Sequence, residues 1–331
     1  MRVALLGAGR IAEVHARGIK GAGAELAGVY DLRREAAEAV AGRFGGAVYG
    51  DVDAALSDPG IDAIAIATPT DTHADYLVRA VAARKQVFCE KPIDLSLARA
   101  LECMAEIGDA ADRVQIGFNR RFDKTFSRLR ERLSEGAIGK IENLTIISRD
   151  PAPAPIGYLA SSGGILKDMA IHDFDMARFI LGEEPVEVFA TGSVLVDPEI
   201  GSVGDHDSIS VVMRTASGVQ CQILNSRRCA YGYDQRIEAF GEKGSLRAEN
   251  PLVDELRVNL ATGTDTRSQL SNFFLDRYMD AFAAQWVSFF STLKAGKPPA
   301  VTFRDGLRAL ELAEAGNRSI AEKRVIEVPA R

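Results

Sequence analysis

Apolar and polar residues alternate with two different periods in the first third of the chain. Short apolar runs typical of buried strands are followed by alanine-rich or charged stretches with helical spacing. The predicted strands are residues 3–6, 25–30, 63–67, 86–89 and 114–117. The predicted helices are residues 11–19, 33–44, 75–84 and 96–107. Strands that alternate with helices at this spacing predict a doubly wound parallel sheet, covered by helices on both faces.

The hydrophobic pattern changes after Phe118, where alternation at every second residue becomes the main signal. A helix is predicted over residues 122–135, then a strand over 141–148 and a proline-containing loop. The later predicted strands are 186–196, 207–215, 218–225, 235–240, 244–248 and 256–258, and the closing helices are 277–293 and 304–323. Strands joined by short glycine turns predict an antiparallel sheet. We therefore predict an α/β domain at residues 1–118 and an α+β domain with a large open, mostly antiparallel sheet at residues 119–331.

The first predicted strand runs directly into a glycine-rich turn. Gly7 allows a tight turn, Gly9 lets backbone N–H groups approach a pyrophosphate, and Ala12 permits close packing of helix on strand. The N-terminus of the following helix favours the phosphate charge. Asp31 ends the next strand, where the dinucleotide-binding fingerprint has a carboxylate. The first domain is therefore predicted to be a Rossmann domain, and its motif gives a cofactor-binding set: Gly7, Gly9, Arg10, Ile11 and Asp31.

The residue at position 31 bears on which dinucleotide is bound. A carboxylate accepts hydrogen bonds from ribose hydroxyls and repels a 2′-phosphate, so Asp31 favours NAD over NADP. Arg33 and Arg34 follow closely in the sequence and could neutralise a 2′-phosphate if Asp31 turned away. The prediction is NAD, with NADP as the less favoured alternative.

Three ionisable side chains recur at helical spacing within residues 162–181. Asp168, His172 and Asp175 are separated by steps of four and three, so on one helix all three lie on the same stripe. A carboxylate one turn from a histidine can orient the imidazole and support its proton. Oxidation of an alcohol by hydride transfer needs a base for the hydroxyl proton, and we predict that His172 is this base. The remaining histidines are interpreted as structural: His15, His73 and His206.

A lysine follows the predicted strand at residues 86–89. In doubly wound folds, ligands bind outside the carboxyl ends of the strands, and Lys91 stands at such an end. Its ammonium group could hydrogen-bond a substrate oxygen and stabilise the negative charge that develops on it. Pro92 restricts the backbone of both residues and predicts a fixed loop. Lys91 is therefore a further catalytic candidate.

Composition excludes several classes of function. The chain has 331 residues, 47% hydrophobic and 26% charged, with a formal net charge of −6 and no long run of one sign. These values are typical of a globular protein and argue against binding to nucleic acids or to a membrane surface. The apolar runs are too short to cross a bilayer, and the first residues lack a signal-peptide cleavage site. Four scattered cysteines without a CxxC pair predict reduced thiols in the cytoplasm and no metal site.

Together, these motifs resemble the glucose–fructose oxidoreductase, inositol dehydrogenase and rhizopine-catabolism family. The resemblance covers nearly the whole chain, and the motifs keep the order of the family. The motifs are the turn at residues 7–12, the loop Glu90-Lys91-Pro92, the run at 117–123, and Gly163-Gly164 followed by Asp168 and His172. The runs at 68–73, 171–179, 225–228 and 231–236 are similar to the inositol dehydrogenase members.

This resemblance implies a Rossmann domain followed by a domain with a large, mostly antiparallel sheet. It also implies homo-oligomers, dimers or tetramers, formed by packing of those sheets. The implied catalytic set is Lys91, Asp168 and His172. The implied residues on the cofactor side are Thr68, Pro69, His73, Glu90 and Lys91. The implied residues on the substrate side are Arg121, Asp150, Asp168, His172, Asp175, Tyr233 and Tyr278.

The expected activity is oxidation of a ring hydroxyl of myo-inositol to a ketone, an inosose, with NAD as acceptor. One alternative is the same chemistry on another cyclic polyol or sugar, such as scyllo-inositol or an aldose. The other is a non-catalytic sensor of NAD and a sugar, and the joint presence of Lys91, Asp168 and His172 argues against it. The chain departs from the family at Ala284-Gln285-Trp286, where a glutamate is frequent, and substrate preference could differ if that helix approaches the pocket.

Overall fold

The computed structural model describes residues 1–329, which fold as two compact units. The first unit comprises Met1–Asp123 and Met279–Leu310, and the second comprises Lys124–Tyr278 and the described residues from Glu311 onward. This differs from the predicted division at residue 118, which left everything after it in one domain. Residues 279–310 group with the first unit because the aromatic side chains of Trp286, Phe289 and Phe290 belong to its hydrophobic core.

The first unit is built on a six-stranded parallel sheet, which confirms the predicted fold class. Its strand order is β3-β2-β1-β4-β5-β6. The strands are β1 (Arg2–Leu6), β2 (Glu25–Tyr30), β3 (Ala47–Val48), β4 (Ala63–Ile66), β5 (Gln86–Cys89) and β6 (Val114–Ile116). The connecting helices are α1 (Ala12–Gly21), α2 (Arg34–Phe44), α3 (Val52–Ser57), α4 (His73–Ala82) and α5 (Leu97–Ile107). The strand order reverses between β1 and β4, and in such folds ligands bind beside that point at the carboxyl ends of the strands.

The helices of the first unit follow from local sequence. In α2, Ala37 and Val40 are buried while the charged residues Arg34, Glu35, Glu38 and Arg43 are exposed, which is the amphipathic pattern of a helix packed on a sheet. Side-chain caps begin two other helices, since Asp51 accepts the Ala54 N–H at 2.7 Å and Ser96 accepts the Arg99 N–H at 3.3 Å. Such caps satisfy N–H groups that have no partner within the helix. Short 3₁₀ turns occur at Thr70–Thr72, Gly108–Arg113 and Asn119–Phe122.

The second unit is built on a seven-stranded mixed sheet of order β12-β11-β7-β10-β9-β8-β15. Its strands are β7 (Ile141–Arg149), β8 (Pro185–Ser193), β9 (Ser208–Thr215), β10 (Gln220–Ser226), β11 (Asp234–Gly241), β12 (Gly244–Ala248) and β15 (Ile326–Glu327), with a separate hairpin of β13 (Arg257–Leu260) and β14 (Gly263–Arg267). Its helices are α6 (Lys124–Ser134), α7 (Ile156–Leu159), α8 (Gly164–Asp168), α9 (Ile171–Leu181) and α10 (Pro198–Ser202). Two long helices, α11 (Phe274–Lys294) and α12 (Phe303–Glu322), each contribute residues to both units.

The large sheet is mostly antiparallel, as predicted, with one parallel pair. Strands β7 and β10 run parallel, with Ile146 opposite Ile223, and the other pairs in this sheet are antiparallel. Helix α9 covers one face, where the Ser148 hydroxyl donates to Asp173 at 2.6 Å. On the opposite face, large apolar side chains lie open: Phe189 is 38% exposed, Val212 43% and Phe240 49%.

The single helix expected around Asp168, His172 and Asp175 is wrong. Helix α8 ends at Asp168 and α9 begins at Ile171, so His172 and Asp175 share a helix that does not contain Asp168. The N–H groups of both Met169 and Ala170 donate to the carbonyl of Ile165. One acceptor therefore serves two donors, and the regular i to i−4 hydrogen-bond ladder ends there.

Two further features concern the chain as a whole. All four cysteines are buried thiols without a disulfide partner. Within residues 1–329, each helix is either too short or too polar to span a lipid bilayer.

Candidate active site

The glycine turn of the first unit is closed around backbone contacts. Gly7 has φ +100, and a Cβ there would overlap the carbonyl oxygen of Ala67. Its N–H donates to the carbonyl of Tyr30 at 2.7 Å. By contrast, a Cβ at Gly9 would meet no protein atom within 4 Å. Gly7 is thus required by the fold, whereas Gly9 leaves open space beside the start of α1, where the predicted pyrophosphate would lie.

Asp31 stands directly after β2 and is held by the same turn. Its carboxylate accepts the Ala8 N–H at 2.7 Å and the Arg33 N–H at 2.8 Å. The side chain stays 15% exposed, and the Arg33 guanidinium lies 3.8 Å from it. A fixed carboxylate beside an open glycine turn matches the donor and acceptor pattern that the adenosine half of NAD requires. The residues present therefore fit the cofactor.

A buried histidine joins the loops that follow β4 and β5. His73 begins α4 and is 2% exposed. Its Nε2 lies 2.8 Å from the carbonyl oxygen of Thr68, and its Nδ1 lies 2.8 Å from that of Pro92. The hydroxyl of Thr68 hydrogen-bonds that of Thr72 at 2.6 Å. The structure thus brings together the predicted cofactor-side residues Thr68, Pro69 and His73 with the loop that carries Lys91.

The residue before Lys91 belongs to a second buried chain of contacts. The Glu90 carboxylate lies 3.0 Å from Nε2 of His15, and it accepts the Lys91 N–H at 3.3 Å. The Trp286 indole N–H donates to Nδ1 of His15 at 3.2 Å. Nδ1 is therefore the acceptor of this bond, and Nε2 is the ring nitrogen on the side of Glu90. The Lys91–Pro92 peptide bond is cis, and a Cβ at Gly117 would lie 2.7 Å from the Glu90 carboxylate.

The departure from the family at position 286 is explained by packing within the first unit. Trp286 is fully buried and stacks on Phe88 with ring centroids 4.4 Å apart. A Cβ at Gly18 would overlap its ring, so the glycine in α1 makes room for the indole. Trp286 thus has a definite role in the core of its own unit.

In the second unit, Asp168 is held from two sides. The Tyr158 hydroxyl donates to one oxygen at 2.8 Å, and the Arg227 guanidinium donates to the other at 3.2 Å. His172 is the second residue of α9 and is partly exposed. Asp168 ends the preceding helix, so three residues of chain separate the two candidate catalytic groups.

The predicted substrate-side residues fall into different settings. Tyr233 and Tyr278 are both buried and pack edge to face, with ring centroids 6.0 Å apart. The Asp150 N–H donates to the carbonyl of Ser226 at 3.0 Å at the end of β7. Asp175 is buried, and the Arg178 guanidinium lies 3.8 Å from it.

Arg121 belongs to the first unit and has protein partners there. It donates to the Asp305 carboxylate at 2.9 Å and to the carbonyl of Ala300 at 3.3 Å. A role for this residue in substrate binding stays a prediction.

Sequence reasoning missed several polar residues of the second unit. Asp173 is fully buried and accepts from the Asn225 amide at 2.7 Å as well as from Ser148. Arg227 is buried and contacts both Asp168 and Asp205. A signal for Arg227 was present, since Cys221, Ile223, Asn225 and Arg227 are the buried positions of one alternation in β10 and beyond. In the first unit, His15 lies on the buried side of α1.

Burial affects the pKa of two ionisable groups. Burial, with the nearby Glu90 charge, raises the pKa of the Cys89 thiol well above its ordinary value, so this cysteine is not a candidate nucleophile. Burial alone would raise the pKa of Asp234, but hydrogen bonds from Arg236, Tyr231 and Asn250 outweigh this effect and lower that pKa overall.

Among residues 1–329, no group of three or more His, Cys, Asp or Glu side chains is arranged to hold a metal ion.

Both units match models of one protein family. Residues 1–118 match the NAD-binding Rossmann fold of an oxidoreductase family, and residues 126–247 match the GFO/IDH/MocA C-terminal domain. The chain belongs to the GFO/IDH/MocA oxidoreductase family. The resemblance found in the sequence motifs is thereby confirmed.

Members of the GFO/IDH/MocA family resemble this chain over its whole length. Inositol 2-dehydrogenase of Rhizobium meliloti (strain 1021) is 50% identical over 330 residues, which are 99% of each chain. The crystal structure of a myo-inositol dehydrogenase from Corynebacterium glutamicum superposes with a TM-score of 0.96 at 42% identity, covering 100% of this chain and 99% of that one.

One more distant structural relative was crystallised with its ligands. A myo-inositol dehydrogenase from Lactobacillus casei, in complex with NAD(H) and myo-inositol, has a TM-score of 0.88 at 25% identity, covering 100% of this chain and 97% of that one. The fold of this chain therefore occurs in a protein that holds both a dinucleotide and a cyclic polyol.

Proposed function

We propose that this chain is an NAD-dependent dehydrogenase that oxidises a ring hydroxyl of myo-inositol to the ketone, an inosose. The observation that carries the proposal is the full-length similarity to the Rhizobium meliloti inositol 2-dehydrogenase. It is supported by the retention of Lys91, Asp168 and His172 in their motifs.

The cofactor is held by the first unit. Gly7, Gly9, Arg10 and Ile11 would hold the pyrophosphate at the turn and helix start, and Asp31 would accept hydrogen bonds from the ribose hydroxyls. The Asp31 charge disfavours a 2′-phosphate, which supports NAD over NADP. The loops with Thr68, Pro69, His73, Glu90 and Lys91 would hold the nicotinamide half. When bound, NAD supplies the acceptor for the hydride that leaves the carbinol carbon.

The protein supplies the acid and base chemistry. The His172 imidazole accepts the proton as the substrate O–H bond breaks and the C=O bond forms. Asp168 fixes the imidazole tautomer and stabilises its protonated form. The Lys91 ammonium donates a hydrogen bond to the reacting oxygen and stabilises the negative charge on it.

A polyol substrate fits the proposed binding residues, because they offer many polar partners for its hydroxyl groups. Arg121, Asp150, Asp175, Tyr233 and Tyr278 would meet the ring hydroxyls that do not react. A pocket that hydrogen-bonds a hydroxyl rejects an analogue without it strongly, since its own polar group is then left buried and unsatisfied.

A second candidate is the same reaction on another cyclic polyol. It is favoured by a scyllo-inositol dehydrogenase of Lactobacillus casei, crystallised with NAD(H) and scyllo-inositol, that shares this fold. A panel of myo-inositol, scyllo-inositol, glucose and galactose, each with NAD and with NADP, tests both by NADH or NADPH absorbance. Highest kcat/KM for myo-inositol with NAD supports the proposal. Activity on glucose or galactose together with no activity on myo-inositol would contradict it.

We also infer that the chain forms a homo-oligomer in the cytoplasm. The open sheet face that carries Phe189, Val212 and Phe240 is an apolar surface of the kind that becomes buried in an interface with a second copy of the chain. The four buried cysteine thiols are suited to a reducing compartment.

A further inference from the structure

A buried arginine joins two carboxylates behind the proposed catalytic aspartate. Arg227 is 1% exposed. One of its terminal nitrogens lies 3.2 Å from Asp168, and the other lies 3.1 Å from Asp205. A guanidinium with two separate donors can hold two carboxylates at fixed positions, which a lysine ammonium at the end of a flexible chain cannot do as rigidly.

The far carboxylate is itself anchored to the backbone. One oxygen of Asp205 accepts the N–H groups of Ile165 at 2.8 Å and of His206 at 2.7 Å, and the other accepts from Arg227. Gly164 has φ +80, and a Cβ there would lie 2.9 Å from Asp205. The glycine pair at 163–164 therefore gives this carboxylate access to the start of α8, the helix that ends at Asp168.

The charges in this chain of contacts do not cancel. Two carboxylates share one guanidinium, so the three side chains together carry a net negative charge. An Asp168–Arg227 pair alone would be neutral and would attract a protonated imidazole only weakly. Because Asp205 pairs with the same guanidinium, the charge of Asp168 is only partly neutralised. The remaining negative charge favours the protonated form of a nearby histidine.

The other charged groups around these residues have partners of their own. The Tyr158 hydroxyl donates to Asp168, and Lys167 pairs with Glu314 of α12 at 2.9 Å. On α9, Asp173 is bonded to Ser148 and Asn225, and Asp175 faces Arg178. His206 follows Asp205 and is partly exposed.

We propose that Arg227 and Asp205 are positioning residues that fix the Asp168 carboxylate and, through the net charge of the group, strengthen His172 as a base. This rests on the proposed roles of Asp168 and His172. Neither residue needs to contact the substrate. The pair deepens the proposed function by adding a support for the base that lies outside the proposed catalytic set.

The test is the titration of His172 in the protein without added cofactor, followed by ¹⁵N NMR. The chain has only four histidines, so a His172→Ala spectrum identifies the signal. Asp205→Asn keeps an oxygen for the two backbone donors but removes the charge and the acceptor of the Arg227 bond, so the titration midpoint should fall by roughly half to one pH unit. Arg227→Met removes the positive charge and should raise the midpoint. The control is Arg228→Met, an exposed neighbour that should leave it unchanged.

Opposite shifts in the two variants support the proposal, because a purely structural change would not follow the sign of the charge. An unchanged midpoint in Asp205→Asn overturns it, and this single variant suffices if Arg227→Met does not fold. If the wild-type protein oxidises no polyol with NAD, the proposed function fails, and the NMR comparison still decides the electrostatic coupling on its own.

Discussion

A side chain at Gly7 would overlap the carbonyl oxygen of Ala67, so the turn before α1 can form only with glycine. Gly9, two residues on, has no such neighbour. The two glycines of one motif therefore differ: the fold requires the first, and the second leaves open the space that the proposed cofactor would occupy.

This contrast predicts different phenotypes for two matched variants. Gly7→Ala should destabilise the protein by about 1–3 kcal/mol or more, because the positive φ and the overlap both penalise a Cβ. Gly9→Ala should leave the melting temperature near that of the wild type but weaken NAD binding. Thermal unfolding and calorimetric titration with NAD measure both. Equal loss of stability in the two variants would show that the distinction is wrong.

The carboxylate of Asp31 is expected to set the preference for NAD over NADP. Asp31→Asn removes the charge but keeps an oxygen for the Ala8 N–H, so kcat/KM with NAD should fall roughly ten- to a hundredfold. The ratio of activity with NADP to activity with NAD should rise, because the repulsion of a 2′-phosphate is lost. Glu35→Gln, an exposed change on α2, is the control for local charge. A ratio unaffected by Asp31→Asn would remove this carboxylate from cofactor selection.

The carboxylate of Asp207 should make a pH-dependent contribution to the free energy of unfolding. Burial raises its pKa, but backbone N–H groups of Leu195, Val196 and Asp197 outweigh this and lower that pKa overall. A depressed pKa in the folded state contributes stability above the ordinary carboxyl pKa of about 3.9, and this contribution is lost as pH falls through the folded-state value. Asp207→Asn should therefore cost about 1–3 kcal/mol at pH 7 and less at about pH 3.

Urea unfolding of the Asp207→Asn variant at the two pH values measures this difference. Glu255→Gln, at an exposed position in the same unit, should show little effect at either pH. A loss of stability that is the same at both pH values would mean that hydrogen-bond geometry, and not the carboxylate charge, stabilises this loop.

The open sheet face predicts how copies of the chain associate. Val212→Arg places a charge on the exposed face of β9 and should convert oligomers into smaller species, since a buried charge without a partner is costly. Val253→Arg, at another exposed valine, is the matched control. Light scattering coupled to size-exclusion chromatography gives the mass of each species. An unchanged mass for Val212→Arg would exclude this face as the interface.

Most elements of both units could be predicted from local periodicity. The strand at Gln86–Cys89 was predicted to the residue, and the parallel sheet of the first unit was predicted from alternating strands and helices. The parallel pairing of β7 with β10 was not predicted, because residues about 80 positions apart decide it and the pattern of each strand is the same in either direction. Strand β3 has two residues, which is too short for any periodic signal.

The site was predicted less completely than the fold. The motifs gave Lys91, Asp168 and His172, but the break between α8 and α9 depends on how Met169 and Ala170 share one carbonyl. The partners of Asp168 come from other elements, with Arg227 directly after β10 and Tyr158 on α7. Contacts of this kind arise from tertiary packing, and spacing along the chain carries no record of them.

The central claim is tested most directly by the rate of NADH formation from myo-inositol in the wild type and in His172→Ala. The account predicts turnover in the wild type and a fall in kcat of about two to four orders of magnitude in the variant. His206→Ala, a change at a histidine outside the proposed catalytic set, should keep nearly normal turnover. Near-normal kcat in His172→Ala would contradict the account.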